Sequence, residues 1–197
     1  MIQASGWIDT ALSDGPAVES IGTLGPAGTS SELAAVYLWA DRGNDRPSAI
    51  RLFDTYEAAG DALRNGVVSH VVIANAYAQV NSFYMDPALR FAGAFLFDTP
   101  RYGIAAARGH HIPKRALIAT HPAPVALVGE LLPEQYTVAE IRFAASTSAA
   151  ALQAGRREAD LALTTQPAAK VHGLEFISRT RTIRMLWSVF TLADPEA

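Results

Sequence analysis

A chain of 197 residues, 50% hydrophobic and 18% charged, is long enough to bury the core of one domain or of two small lobes. Its 16 lysines and arginines stand against 19 aspartates and glutamates, a formal net charge of −3 with no run of like charges. That balance gives no electrostatic reason to expect nucleic acid or an acidic membrane as a partner, and the absence of cysteine excludes disulfides, thiolate catalysis and thiolate metal sites.

Residues 1–19 contain Asp9, Asp14 and Glu19 and lack a basic start followed by an apolar core, so they do not read as a signal peptide. An N-terminal arm is expected there, with Trp7 and Ile8 able to dock it onto the body. No apolar run is long enough to span a bilayer, and a cytoplasmic location is expected. From Ser20 onward short apolar runs alternate with helix-like segments, which predicts an α/β fold with a largely parallel sheet. "SIGTL" is strand-like and "SSELAAVYLWA" helical, and "AIRLF" is the next strand. In "DTYEAAGDALRNG", Asp54 and Glu57 have capping-box spacing and Gly66 is the expected stop. "VSHVVIAN" is a buried strand, followed by the polar, aromatic stretch "AYAQVNSFYMDPAL". "RFAGAFLFDTPRYGIAAA" reads as two strands around a turn at Thr99 and Pro100, "ALIAT" as a further strand, and "PAPVALVGELL" as a helix with prolines in its first turn. "TVAEIRFAA" leads into "STSAAALQAG", "ADLALTT" into "QPAAKVHG", and strands in "LEFISRTRTIRMLWSVFTL" close the chain.

Three strand-to-helix junctions carry hydroxyl residues. Thr29 and Glu32 have capping-box spacing, so the Thr29 hydroxyl can satisfy one early amide while other first-turn amides stay free for a carboxylate or phosphate. The plainer reading is a well-capped helix. No lysine follows Gly28, so this is not a GxxxxGK[ST] phosphate loop. Ser146, Thr147 and Ser148 precede a small-residue helix, and Thr164 and Thr165 follow a strand with Pro167 in the next first turn. Three such junctions at the carboxyl ends of strands point to a shared cleft that holds a small dianion through backbone amides.

The histidines at 70, 110, 111, 121 and 172 show no HExxH or comparable ligand spacing, so no metal site is expected. His121 alone sits at a strand-to-helix junction, where a local structural role competes with a catalytic one. Asn75 and Tyr77 fall just beyond a buried strand; Phe83 and Met85 are expected in the core. Arg179 and Arg181 have strand alternation, suited either to bidentate grip of one carboxylate or to a solvated edge. There is no GxSxG elbow.

"LGPAGTSSELAA" resembles the opening motif of prephenate dehydratases, and "DTYEAAGDAL", "VVIANAY", "STSAAA" and "ADLALTTQPAAKVHGLEFI" follow in the family's order, from about Ile21 to Leu192. The resemblance implies a two-lobed fold like that of type II periplasmic binding proteins, with the ligand cleft between lobes. It assigns 20–97 with 177–197 to lobe 1 and 98–176 to lobe 2, with no ACT regulatory domain. Two departures stand out. Where dehydratases carry Thr-Arg-Phe, thought to assist departure of the ring hydroxyl, this chain reads "RMLWSVF", and the Glu-Asn-Ser motif has become Ala74, Asn75, Ala76. A closer resemblance, in "TLGPAGTSSE", "NAY" with "FYM", "DTPRYG", "THPAP", "STSAAA" and "MLWSVF", is to the non-aromatising prephenate decarboxylases of bacilysin and anticapsin biosynthesis.

That likeness implies removal of carbon dioxide from prephenate with the ring hydroxyl retained, without a cofactor, by an enzyme expected to be a homodimer. The expected contacts to the pyruvyl carboxylate come from Thr29, Ser30 and Ser31 or from Ser146, Thr147 and Ser148, with Thr164 and Asn75 at the cleft. Met185 and Trp187 are expected to surround the departing carboxylate. The proton donor is left among His121, Tyr77, Tyr102, water and the substrate's own hydroxyl. A dehydratase forming phenylpyruvate and a non-catalytic dicarboxylate-binding protein are the alternatives.

Overall fold

The computed structural model describes residues 7–9, 17–42 and 49–193. In chain order the elements run β1 (Trp7–Asp9), β2 (Ile21–Leu24), α1 (Ser30–Asp41), β3 (Ile50–Phe53), α2 (Tyr56–Arg64), β4 (His70–Ala74), α3 (Val80–Met85) and β5 (Leu89–Asp98). They continue with β6 (Tyr102–Ala107), β7 (Arg115–Thr120), α4 (Leu127–Leu131), β8 (Thr137–Phe143), α5 (Thr147–Gly155), β9 (Leu161–Thr165), α6 (Gln166–Val171), β10 (Leu174–Phe176) and β11 (Arg184–Leu192). Two compact units result: Met1–Gly25, Ser31–Thr99 and Arg184–Ala197 form the first, Pro26–Ser30 and Pro100–Ile183 the second.

The first unit is built on a six-stranded sheet of order β1-β5-β11-β4-β2-β3. β2 runs parallel to β3 and β4, while β11 is antiparallel to both β4 and β5. The run His-Val-Val-Ile-Ala of β4 is buried throughout, as a strand covered on both faces requires. Trp187, Phe95, Phe190, Ile21, Leu38, Leu63 and Ile73 supply its largest wholly buried apolar side chains. The second unit holds a five-stranded sheet of order β10-β6-β9-β7-β8, with β7 parallel to β8 and β9. One of its apolar clusters is almost all alanine, including Ala150, Ala151, Ala154, Ala162 and Ala168, small enough for helices α5 and α6 to lie close to the strands. The other is branched, with Ile104, Ile118, Leu161 and Leu163.

Several expectations change. The largely parallel sheet becomes two mixed sheets, because β5, β11 and β6 each pair antiparallel. The strands flanking Thr99 and Pro100 do not pair with each other; β5 and β6 enter different sheets. Residues 177–183, assigned with lobe 1, belong to the second unit: Ile177 N–H reaches Ile104 O at 2.9 Å, and Tyr102 and Arg181 exchange backbone bonds of 2.7 and 2.9 Å. Only Leu127–Leu131 of the helix expected after Pro122 forms, since the turns at Pro122 and Pro124 close first. Helix α2 is capped by Thr55, whose hydroxyl accepts from Ala58 N–H at 3.0 Å, in place of Asp54. Phe83 is buried as expected, but Met85 is 76% exposed. Of the arm, Trp7–Asp9 pairs with β5 as an edge strand, and the rest of 1–16 lies outside the described residues. Among the described residues no helix is long and apolar enough to cross a membrane.

His70 is buried at the start of β4. Ser69 gives its proton to Ser20 O at 2.8 Å, so the His70 Nδ1–H, 2.9 Å away, donates to Ser69, and among the described residues Nε2 has no partner. Burial, then repulsion from Arg42 and Arg90, lowers its pKa from 6.5 to about 4. A folded value below the unfolded one means that stability is present above the unfolded pKa and is lost as pH falls from 6.5 towards 4. We expect stability to drop between neutral pH and about pH 5, by at most about 1.4 kcal/mol per pH unit from this group. Urea denaturation of His70→Asn should show a correspondingly shallower slope, and an unchanged slope would reject the assignment.

Candidate active site

In the second unit the parallel strands β7 and β8 end together at Thr120 and Phe143, β9 runs on two residues further to Thr165, and each leads into residues singled out by sequence. His121 follows β7, Ser146 to Ser148 follow β8, and Thr164 and Thr165 finish β9. Tyr102, at the start of antiparallel β6, lies in register with Thr165 on the same edge. The hydroxyls here are used within the chain. Ser146 caps α5 by accepting from Ala149 N–H at 3.0 Å, and Thr164 donates to Thr147 O at 2.7 Å. Ser148 donates to Ala27 O and Thr165 to Gly28 O, each at 2.8 Å, while Ser30 Oγ meets Tyr102 OH at 3.0 Å. These last contacts bind the turn Pro26–Ser30, with buried Thr29 inside it, to α5, β9 and β6. The first amides of α5, at Thr147 and Ser148, have no partner within the helix, so the α5 start offers N–H donors and a positive dipole end to an anion.

His121 is half-buried, and its Nδ1 accepts from Ala123 N–H at 3.3 Å. Burial lowers its pKa, so near neutral pH it is an uncharged ring with the proton on Nε2. His172 Nε2 lies 3.1 Å from Ser148 Oγ, the spacing of a nucleophile and its base. Ser148 is wholly buried and its proton is given to Ala27 O, so the pair is structural. Arg179 and Arg181 do grip one carboxylate, that of Glu130 in α4. Among the described residues no group of three or more His, Asp or Glu is placed to hold a metal ion.

In the first unit Asn75 follows β4, with its N–H on Leu186 O at 3.1 Å and its Oδ1 accepting from Ser188 Oγ at 2.7 Å. Ser31 Oγ meets Tyr56 OH at 2.7 Å, and the same phenol oxygen accepts from Ala74 N–H at 3.3 Å, tying the starts of α1 and α2 to the end of β4. Tyr77 OH lies against Glu57 and, at 2.7 Å, Gln79. Burial and then the bond to Glu57 raise the Tyr77 pKa; burial, partly countered by Ser30, raises that of Tyr102. Both phenols therefore keep their protons near neutral pH. Trp187, expected against the substrate, is wholly buried with its N–H on Phe97 O at 3.1 Å, a core position; Met185, on the same strand, is half-buried. Sequence reasoning passed over Tyr56 and Ser188. A lone serine inside the apolar run "MLWSVF" was the available signal for the latter.

The chain is 39% identical over 175 residues to a prephenate decarboxylase of Planktothrix agardhii, covering 86% of each protein. It is 33% identical over 181 residues to a prephenate decarboxylase of Bacillus subtilis, covering 87% of this chain and 85% of that one. The chain belongs to the prephenate decarboxylase family. No protein-family model matches it. Among solved structures, the prephenate dehydratase of Arthrobacter aurescens, in complex with L-Phe, superposes with a TM-score of 0.70 at 16% identity, over 89% of this chain and 61% of that one. The periplasmic VFT2 domain of Bordetella pertussis BvgS gives 0.53 at 19% identity, over 92% and 83%. The fold is thus the α/β, two-lobed, periplasmic-binding-protein-like one.

Gly28 sits at the centre of the stapled turn with φ +88°, and a Cβ there would meet the backbone of Ala168 at 3.0 Å. Gly28→Ala therefore imposes both backbone strain and a clash. It is expected to cost about 1–3 kcal/mol of stability and lower the thermal midpoint; an unchanged melting curve would show that the turn is less constrained than described.

Proposed function

We propose that this chain decarboxylates prephenate without aromatising it, giving a dihydro-4-hydroxyphenylpyruvate that keeps the ring hydroxyl, as a step in natural-product biosynthesis of the bacilysin type. The likeness to two prephenate decarboxylases over about nine-tenths of the chain carries this reading. The sequence supports it by lacking the Thr-Arg-Phe triplet at its terminal strand.

Prephenate bears one carboxylate on a quaternary ring carbon, another on its pyruvyl arm, and a hydroxyl across the ring. Loss of carbon dioxide with hydroxide would aromatise the ring and is strongly downhill, so the enzyme must deny that oxygen a proton. When the ring-carbon to carboxylate bond breaks, its electron pair forms a new ring double bond. The displaced pair takes a proton at the carbon beside the carbinol, leaving a conjugated diene. The electrons end in carbon–carbon and carbon–hydrogen bonds, so no cofactor is needed as a sink.

The pyruvyl carboxylate is assigned to the α5 start at Ser146 to Ser148, with the Pro26–Ser30 turn beside it, because amides there meet an anion without a counter-cation. The departing carboxylate is best held loosely, since firm ion pairing would stabilise it more than the charge-dispersed transition state. Met185 is the apolar residue proposed beside it. An uncharged His121 is suited to donate a hydrogen bond from Nε2, and the phenols of Tyr102 and Tyr77 are the groups that carry a proton at neutral pH. A homodimer working in the cytoplasm is part of the same proposal, carried by the family resemblance alone; light scattering that gives the mass of one chain would reject the dimer.

Incubation with prephenate near neutral pH, followed by NMR, should yield a conjugated dihydro product retaining its carbinol proton. Phenylpyruvate would instead identify a dehydratase, and saturable binding without turnover a binding protein. His121→Ala is expected to lower turnover at least tenfold, and unchanged turnover would remove it from the mechanism. With a phenol as donor, kcat should stay level from about pH 6.5 to 9; a rate that falls steadily as pH rises through the acid side of this range would return the role to a charged histidine.

A further inference from the structure

Three polar side chains of the first unit form a line that the reaction just described does not use. Tyr84 OH lies 2.6 Å from Ser188 Oγ, and Ser188 Oγ donates to Asn75 Oδ1 at 2.7 Å. Ser188 has one proton, and it goes to Asn75, so its oxygen must accept from Tyr84. The order of donation is then Tyr84 to Ser188 to Asn75. Ser188 is wholly buried in the middle of β11, where an unmatched hydroxyl would be costly, so the line is satisfied at its buried centre. The Tyr84 ring is itself held, edge-on to Phe190 at 4.9 Å and tilted against Phe91 at 5.6 Å. At the other end, the Asn75 backbone is pinned by its N–H on Leu186 O at 3.1 Å.

A carboxamide has one acceptor end and one donor end. With Oδ1 committed to Ser188, the Nδ2 protons are the carboxamide's remaining polar end, on a half-buried residue just past the carboxyl end of a parallel strand, where ligands of α/β sheets are bound. We propose that Tyr84 and Ser188 are positioning residues that fix the Asn75 carboxamide with its N–H donors towards the substrate, so that it recognises an oxygen acceptor, a carboxylate or a hydroxyl. This rests on the reading of prephenate as substrate and deepens it. An amide N–H is also far too weak an acid to protonate a hydroxyl it touches. A donor of this kind holds an oxygen in place without helping it leave, which suits an enzyme that must keep its ring hydroxyl.

The test is a double-mutant cycle read in two ways: kcat and KM for prephenate, and prephenate affinity by calorimetry, with the thermal midpoint of each variant recorded. Ser188→Ala and Tyr84→Phe are expected to lower kcat/KM about tenfold and about threefold, as for loss of one and of a more remote hydrogen bond. In an Asn75→Ala background the same changes should have no further effect, because they act only through Asn75. Asn75→Asp keeps the acceptor for Ser188 but turns an oxygen towards the substrate, and should lose more activity than Asn75→Ala. Equal losses from Ser188→Ala in both backgrounds, or full activity of Asn75→Asp, would overturn the proposal. If the wild type binds prephenate without turning it over, the decarboxylase reading fails while the same cycle in binding affinity still decides this one; no binding of prephenate at all would sink both.

Discussion

Two hydroxyl-to-carbonyl hydrogen bonds, from Ser148 to Ala27 and from Thr165 to Gly28, hold the turn Pro26–Ser30 in the second unit. Much of the candidate site depends on them. The chain leaves the first unit after Gly25 and re-enters it at Ser31, so these five residues must take a fixed path within the second unit. Glycine at 28 permits the left-handed backbone and the close approach to Ala168 that this path needs. The donors come from the first turn of α5 and from the residue that caps α6, elements whose position the alanine cluster sets.

Hydroxyls that look like ligand-binding groups in the sequence thus serve mainly to place backbone. This changes how an acidic chain can hold a dianion. Ser148, Thr164 and Thr165 spend their protons on backbone carbonyls, and in the reading proposed above the anion is left to the first amides of α5, which have no partner within the helix. Donors fixed by the fold need little reorganisation when charge shifts during reaction. In the first unit the same economy recurs with tyrosine: Tyr56 joins Ser31 to the end of β4, and Tyr84 reaches Asn75 through Ser188.

The chemistry gives these constraints their meaning. Prephenate has two exits, and the one that aromatises is strongly downhill, so selectivity depends on which oxygen is refused a proton as much as on which carbon receives one. Neutral donors fit that demand, and those proposed above are of this kind: an amide at Asn75, an uncharged imidazole at His121, and phenols whose pKa values burial has raised. Each can orient an oxygen near neutral pH while giving up a proton to it only reluctantly.

By itself the sequence determined the succession of strands and helices, because burial period, caps and turn residues are local, and it determined the family, because ordered motifs survive where overall identity is low. It placed Ser146 to Ser148, Thr164 and His121 at strand ends for the same reason. Tertiary structure decided what depends on partners distant in the chain. Pairing made two mixed sheets of what reads as one parallel pattern, and moved residues 177–183 into the second unit through bonds to Tyr102 and Ile104. It turned Trp187 into a core residue, exposed Met85, and gave Ser188 its link to Asn75, a contact spanning 113 positions that no local pattern encodes. Hydrogen-bond direction is a property of the assembled network, so only the folded chain could say which hydroxyls were already spent.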